Sequence, residues 1–339
     1  MTKFVQYFKR PRHVLQLIVL MVTIGIGIQF YLYVRQATGQ GAVTIQRPPG
    51  VEGFLPIGAL MGWKYFLQTG QWDRVHPAAM VIFGWAVLLS VLFRKGFCGW
   101  FCPVGTVSEW FWRVGNRLFG RNFRAPKWID IPLRALKYVL LGFFIRIISA
   151  MGINQLSAFM NGPYYKLSDA KMLFFFTRMS ATAAGVLMIL TVFSLLMKNF
   201  WCRYLCPYGA LLGLVAMVSP TRIQRSEKYC VQCGGCDRAC PSHLAISKKP
   251  DINSPECVGC MTCVEACPQE GALAMHSAGF HRKFWSPSRA GVYIALFFVL
   301  TVYMASISGN WRGAVSDREF RTRIRTIDAP GTTHPSVFR

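Results

Sequence analysis

All twelve cysteines of the chain fall into four motifs. Two of these are Cys230-x2-Cys233-x2-Cys236-x3-Cys240-Pro241 and Cys257-x2-Cys260-x2-Cys263-x3-Cys267-Pro268. Thiolates are the ligands that iron–sulfur clusters require, and this doubled run has the spacing of bacterial two-cluster ferredoxins. In that arrangement three closely spaced cysteines wrap one cubane, and the fourth, before proline, reaches across to the other. The spacing therefore assigns Cys230, Cys233, Cys236 and Cys267 to one [4Fe–4S] cluster. Cys240, Cys257, Cys260 and Cys263 go to a second. Small residues such as Gly234, Gly235 and Gly259 let backbone amides approach the cluster sulfurs and help set the potential. Zinc and disulfides are the competing uses of cysteine. Zinc does not call for eight cysteines with trailing prolines, and a cytoplasmic location disfavours disulfides.

The other four cysteines form an internal repeat. Arg94-Lys-Gly-Phe-Cys98-Gly-Trp-Phe-Cys102-Pro103-Val-Gly105 parallels Lys198-Asn-Phe-Trp-Cys202-Arg-Tyr-Leu-Cys206-Pro207-Tyr-Gly209, at a constant offset of 104 residues. On a helix, cysteines four apart share one face, and the following proline interrupts the hydrogen-bond ladder. A duplicated pair of broken helices is a way for membrane proteins to build a site. Four facing thiols at Cys98, Cys102, Cys202 and Cys206 could bind a further metal or cluster, or cycle between dithiol and disulfide. Close packing of small buried side chains is the plain alternative.

These motifs must be positioned by apolar helices. The 339 residues are 53% hydrophobic and 15% charged, whereas a soluble domain typically carries about 25% charged residues. Val14–Val34, Pro77–Phe93, Ser180–Met197 and Ala290–Ser308 approach the roughly 20 apolar residues that a membrane-crossing helix needs. Leu133–Ala150 is a fifth span, with Arg134 and Lys137 near enough to its start to snorkel. Tyr208–Ser219 and Trp63–Gly70 are too short to cross and read as re-entrant or interfacial helices. The first span is too long in its apolar core for a cleaved signal peptide. The expected fold is thus an α-helical polytopic membrane protein of about five transmembrane helices plus re-entrant or interfacial helices. Into it is inserted an α+β bacterial two-[4Fe–4S] ferredoxin-like domain. Residues 1–225 form the membrane domain with both C-x3-C-P repeats, 226–275 the ferredoxin-like domain, and 276–339 the last span and a tail.

The formal charge of +24 arises from 38 Lys and Arg against 14 Asp and Glu. The basic residues are spread over every loop, which argues against nucleic acid and for cytoplasmic loops and anionic headgroups. An N-in orientation places 24 of the 38 inside, so the ferredoxin-like domain is expected in the cytoplasm of a bacterial cell, with the tail beyond the inner membrane. Arg318, Arg321, Arg323 and Arg325 in the tail fit this rule poorly.

The two C-x3-C-P repeats, the spans between them and the two-cluster run resemble the NapH/NosR-type ferredoxin-like membrane electron-transport proteins. Gly50-Val-Glu-Gly-Phe-Leu-Pro56 and Cys206-Pro-Tyr-Gly-Ala-Leu211 are similar to YccM-type members of that group. The resemblance spans roughly residues 14–310. It implies electron exchange among quinone, clusters and a partner redox protein (a reductase, cytochrome or ferredoxin), possible service as a quinol dehydrogenase subunit, and a membrane lipid environment. No large flavin-binding domain precedes the first span as in NosR, and no C-x-x-C-H for attached haem occurs. A quinone pocket needs a proton-handling side chain, for which His76, Asp73, Arg146 and Glu109 are the candidates. The plain readings are an interfacial cap before Pro77 for His76 and Asp73, and a solvated helix position for Glu109. Two other function classes fit the same motifs: a FixG/CcoG-like copper reductase or assembly factor for a respiratory enzyme, and a redox-sensing membrane anchor.

Overall fold

Proline opens most of the apolar helices, as its fixed φ and missing N–H suit the first helical position. The computed structural model describes residues 10–39, 44–277 and 286–328. Lys3, Lys9, Arg282, Lys283 and Arg339, counted above for orientation, lie outside the described residues. In chain order the helices are α1 (Pro11–Thr38), α2 (Pro56–Thr69), α3 (Pro77–Leu92), α4 (Pro103–Phe119) and α5 (Lys127–Ala150). Then come α6 (Ile153–Asn161), α7 (Pro163–Lys166), α8 (Ser168–Thr177), α9 (Ala181–Leu196), α10 (Phe200–Tyr204) and α11 (Pro207–Val215). Short α12 (Gly235–Ala239) and α13 (Thr262–Glu265) lie in the cysteine segment, and α14 (Pro287–Ile307) and α15 (Asp317–Ile324) follow. Strands β1 (Thr221–Arg225), β2 (Asp251–Ile252) and β3 (Leu273–Ser277) pair antiparallel in the order β2-β1-β3.

The chain forms two compact units. One holds residues 1–20, 86–143 and 187–298; the other holds 21–85, 144–186 and 299–339. Every change of unit falls inside a helix, namely α1, α3, α5, α9 and α14. By length and composition, α1 and α14 can cross a membrane, and up to four spans result if the bent pairs α5–α6 (103°) and α8–α9 (80°) each count as one. The expected span Pro77–Phe93 corresponds to α3, which has 16 residues, about 24 Å at 1.5 Å per residue. α14 leaves Leu296, Val299, Leu300, Tyr303, Met304 and Ile307 exposed. That i, i+3, i+4 stripe is the pattern of a lipid-facing helix.

In the first unit the sheet frames the cysteine segment. Ile223 on β1 is paired with Ile252 and Met275, and all three are buried. Period-two alternation sends Arg222 and Gln224 to the opposite face. The frame begins five residues before the expected 226–275 and ends two residues after it, at Thr221 and Ser277. Tyr208–Ser219 forms α11 and a 3₁₀ turn, with Ala210, Leu212, Gly213 and Ala216 buried. Two glycines permit backbone-close packing here. A Cβ at Gly115 of α4 would stand 1.7 Å from Leu195 O, and one at Gly213 of α11 would stand 2.7 Å from Pro255 O.

In the second unit, Phe30, Tyr33 and Val34 of α1 pack with Leu167, Ala170, Phe320 and Ile324. α15 is capped by Ser316, whose hydroxyl accepts from Glu319 N (3.2 Å). Two of the tail arginines that fit the orientation rule poorly have a local task. Arg321 and Arg325 both donate to Gly39 O, at 2.9 and 3.0 Å, just beyond the C-terminus of α1, where cations complement the helix dipole. Trp63–Gly70, expected as a short interfacial helix, is the second half of α2; Gly70 ends it in the left-handed region.

Candidate iron–sulfur site

The two cysteine loops share one backbone pattern. Gln232 and Gly259, each just before the second cysteine of its motif, have positive φ, and so do Gly234 and Met261, each just after it. Left-handed residues set among right-handed ones turn successive N–H groups toward a common point, a nest that suits anionic sulfur. Holding Gln232 and Met261 there costs on the order of 1 kcal/mol each. The strain lies where ligands would be presented, which is where such strain collects.

Each loop faces a cavity. One is lined by Cys240, Cys257, Cys260 and Cys263, together with Ile223 and Ile252. The other is lined by Cys230, Cys233, Cys236 and Cys267, together with Arg225. In both, the cysteine before proline comes from the opposite motif. This grouping has the chemistry a cubane needs: four soft ligands, backbone donors nearby and an otherwise apolar wall. Among the described residues, no three His, Cys, Asp or Glu converge tightly enough for a single metal ion. Cys240, Cys257, Cys260 and Cys263 are buried, whereas Cys233 is exposed. Burial pushes the Cys240 thiol up to about 12, and the nearby Cys260 adds to it. Leu244 N donates to Cys240 Sγ (3.4 Å). At the exposed site, the Gln232 backbone N–H and a hydrogen bond from Arg225 hold the Cys230 thiol low.

The C-x3-C-P repeats depart from the expected helical pairing. A residue before proline avoids the α region, and Cys102 (ψ 118°) and Cys206 (ψ 105°) are extended N-caps of α4 and α11. Each repeat instead closes by a five-residue turn, Cys102 N donating to Phe97 O (2.8 Å) and Cys206 N to Trp201 O (3.0 Å). Such π-type turns are frequent at functional sites. The four thiols lie within range of one another's charge. Burial raises Cys98 to about 12 and Cys102 to about 11, and Cys206 charge adds to both. Cys202 is raised well above the ordinary value by burial and then by Cys206, Cys102 and Cys98. The ring of Tyr208 from the second repeat packs edge-on against Phe97 of the first, 5.6 Å between centroids.

The first repeat touches the buried loop directly. A Cβ at Gly99 would lie 2.4 Å from Val258 O, and Trp100 Nε1 donates to Gly259 O (2.9 Å). Charged side chains fasten the same surface. Arg94 donates to Ala216 O, Asn253 Oδ1 and Ser254 O (3.0, 2.7 and 2.7 Å). Lys137 pairs with Glu256 (2.6 Å). Arg203 pairs with Asp130 (2.8 Å) and donates to Ser242 O (2.6 Å). Arg94 opens the first repeat, but no motif marks Lys137 or Asp130, whose only sequence signal is charge beside an apolar run.

Of the four quinone candidates, His76 and Asp73 share one partner, Tyr165. Glu109 is buried rather than solvated, and it pairs with Arg12 and Arg113. Arg12 with Arg113 and His13 hold its carboxyl far below the usual range, although burial alone would raise it. His76 is fully buried. Its Nε2 donates to Tyr165 O (2.7 Å) and its Nδ1 faces Glu52 (3.3 Å). Burial pulls the His76 pKa down, but the Glu52 hydrogen bond and charge raise it overall. Glu52, not Asp73 or His76, caps α3, accepting from Ala78 N and Ala79 N (3.0 and 3.3 Å). Asp73 accepts from Tyr165 OH (2.6 Å) and lines a cavity of about 790 Å³ with Trp72, Arg74 and Arg312. Arg146 is exposed on α5 and joins none of them.

Comparison with known proteins bears on the cysteine motifs. Residues 75–122 and 181–226, which carry the repeats, match the 4Fe-4S binding domain family, and 222–268 match the 4Fe-4S dicluster domain family. The "Putative electron transport protein YccM" of Escherichia coli is 44% identical over 246 residues, covering 72% of this chain and 69% of that protein. Protein NirI of Paracoccus denitrificans is 28% identical over 204 residues, 56% of this chain and 28% of NirI. The ferredoxin-type protein NapH of Escherichia coli is 28% identical over 188 residues, 53% of this chain and 60% of NapH. No solved structure matches the chain.

The two glycines flanking the loops should respond differently to a methyl group. Gly259 has φ 59° and a Cβ would sit 3.0 Å from Phe93 O, whereas a Cβ at Gly235 meets nothing nearer than 3.5 Å. Gly259→Ala should therefore cost about 1–2 kcal/mol, with Gly235→Ala close to neutral. Thermal unfolding of the two purified variants checks this, and equal stability would contradict it.

Proposed function

The chain belongs to the family of ferredoxin-type electron-transport proteins that includes YccM, and from that premise we propose that it moves electrons one at a time between a partner redox protein and the membrane, through two [4Fe–4S] clusters. The observation that carries this reading is the grouping of eight cysteines around two cavities, one opening to the surface and one buried against the first C-x3-C-P repeat. A [4Fe–4S] cluster in each supplies one-electron transfer at a potential tuned by charge, amide hydrogen bonds and exposure. Cys230, Cys233, Cys236 and Cys267 hold the outer one, where Tyr229 and Val231 are exposed for a partner to approach. Cys240, Cys257, Cys260 and Cys263 hold the inner one, shielded from water. Gly99 and Trp100 bring the first repeat against its loop, so the Cys98, Cys102, Cys202 and Cys206 group stands next on the route as a dithiol or further metal or cluster centre. On the membrane side, quinone is the partner that the NapH/NosR resemblance implies, and the Asp73-lined cavity is where it is sought.

The same reading holds the protein in a bacterial inner membrane as five spans, with residues 226–275 cytoplasmic and the tail outside. Two helices meet the length and apolarity of a span, and two bent pairs would bring the number to four. A periplasm-dependent reporter fused after Ser308 should be active. Activity only of a cytoplasmic reporter there would overturn this topology.

Purified protein should carry about 8 iron and 8 acid-labile sulfide, from two cubanes of four irons each. Replacing any one of Cys98, Cys102, Cys202 or Cys206 with Ser should leave those eight irons in place if two clusters account for them all. The same change should abolish quinol-driven reduction of the clusters. If the four thiols serve packing alone, the substitution costs on the order of 1 kcal/mol with electron transfer intact. Stoichiometric zinc and no EPR signal on reduction would sink the cluster assignment, and turnover with copper but not quinol would favour the metal-reductase class.

A further inference from the structure

Next to the buried cysteine cavity, in the same unit, lies a second cavity of about 420 Å³ whose wall is crowded with cations. Arg113, Lys198 and Arg238 line it with Trp112, and its floor is Pro241 and Thr262. Pro241 also lines the cavity of Cys240, Cys257, Cys260 and Cys263, so a single residue is common to both walls.

The charge in this cavity is unbalanced. Its carboxylate, Glu109, is already engaged by Arg12 and Arg113. Arg10, at the rim, reaches Glu265 at 3.5 Å. Among the described residues, Lys198 and Arg238 have no carboxylate within ion-pair distance. The Lys198 ammonium contacts the Arg238 carbonyl (3.1 Å) and stands 5.2 Å from the centre of the Trp112 ring. The Arg113 guanidinium stands 5.3 Å from the centre of the same ring. Burial lowers the Lys198 pKa, and Arg113 and Arg124 lower it further, with Cys240 acting the other way. The Trp112 indole N–H is buried with no acceptor among the described residues. Two guanidinium groups and an ammonium around one space form a donor set suited to a multidentate anion.

We propose that this cavity binds a phosphate group through Arg113, Lys198 and Arg238. Phosphate matches the forked, multidentate donor set better than a small halide does. Its source is a soluble phosphate or the headgroup of an anionic phospholipid, since Arg10 and Lys198 stand beside the ends of the apolar helices α1 and α9. A negative charge one residue away from the buried cysteine site disfavours adding an electron there, so occupancy lowers the potential of a cluster in that site. This last consequence rests on the cluster assignment above; the binding itself does not.

The test uses the full-length protein in nanodiscs of neutral phosphatidylcholine. Binding of inorganic pyrophosphate is followed by phosphorus NMR, and a second set of nanodiscs contains phosphatidylglycerol. Binding of pyrophosphate, or headgroup resonances broadened by the protein, supports the proposal and identifies the source. Lys198→Gln and Arg238→Gln should each weaken binding about tenfold, the loss of one charge-assisted contact of roughly 1.4 kcal/mol. In parallel, the midpoint potential of the slower-relaxing, water-shielded EPR signal should fall as the ligand is added. If neither source binds, or both variants bind as the parent does, the proposal is wrong and the cations serve only to offset the thiolates. Binding with no cluster signal in any preparation would instead fault the cluster assignment and leave the anion site standing.

Discussion

The close approach of Gly99 to Val258 governs the first unit. Two backbones meet there with no room for a Cβ, and the Trp100 indole ties the contact to the next peptide at Gly259. Because Gly259 is itself left-handed and packed on Phe93 O, the loop that presents Cys257, Cys260 and Cys263 has little freedom of its own. Its conformation is dictated by the end of α3 and the turn that follows. The turn in turn is shaped by proline: Pro103 forces Cys102 out of the helix, and the ladder closes one residue late.

Charge supports the same junction. Arg94, Lys137 and Arg203 are each bound to the cysteine segment or to its immediate flank, and each is removed from bulk water. Burying such cations is costly unless they are paired and hydrogen-bonded, and here they are. Their positive potential also falls on the segment that carries the eight cysteines of the two motifs. Burial leaves the Cys257 thiol raised overall, and the Arg94 charge works against that rise. The large basic excess of the chain is therefore used in part inside the protein and not only at a membrane surface.

Sequence order made the cysteine motifs legible because cluster ligands are set by short spacing, and short spacing survives in one dimension. The π-type turns were within reach of the same reasoning, since proline after cysteine excludes a continuous helix. What spacing cannot carry is contact across the chain. Glu109 reads as a solvated helix residue until Arg12, 97 positions away, is seen beside it. Arg321 and Arg325 read as misplaced tail charges until Gly39 O receives them. Arg146, conspicuous in an apolar run, is exposed, whereas Lys137 in the same helix is fully buried against Glu256. Span counting fared less well for a related reason: α3 and α9 are only 16 residues each, and their neighbours bend or break beside them.

The central claim is that the fourth cysteine of each motif crosses to the cavity of the other, so that the inner site is a joint product of both loops. Iron-edge anomalous scattering from crystals of the cluster-loaded protein tests it most directly. The account predicts two four-iron centres, with Cys240 Sγ bonded to the one held by Cys257, Cys260 and Cys263, against the Gly99–Trp100 turn, and Cys267 Sγ bonded to the other. A map in which Cys240 completes the centre of Cys230, Cys233 and Cys236 would contradict it.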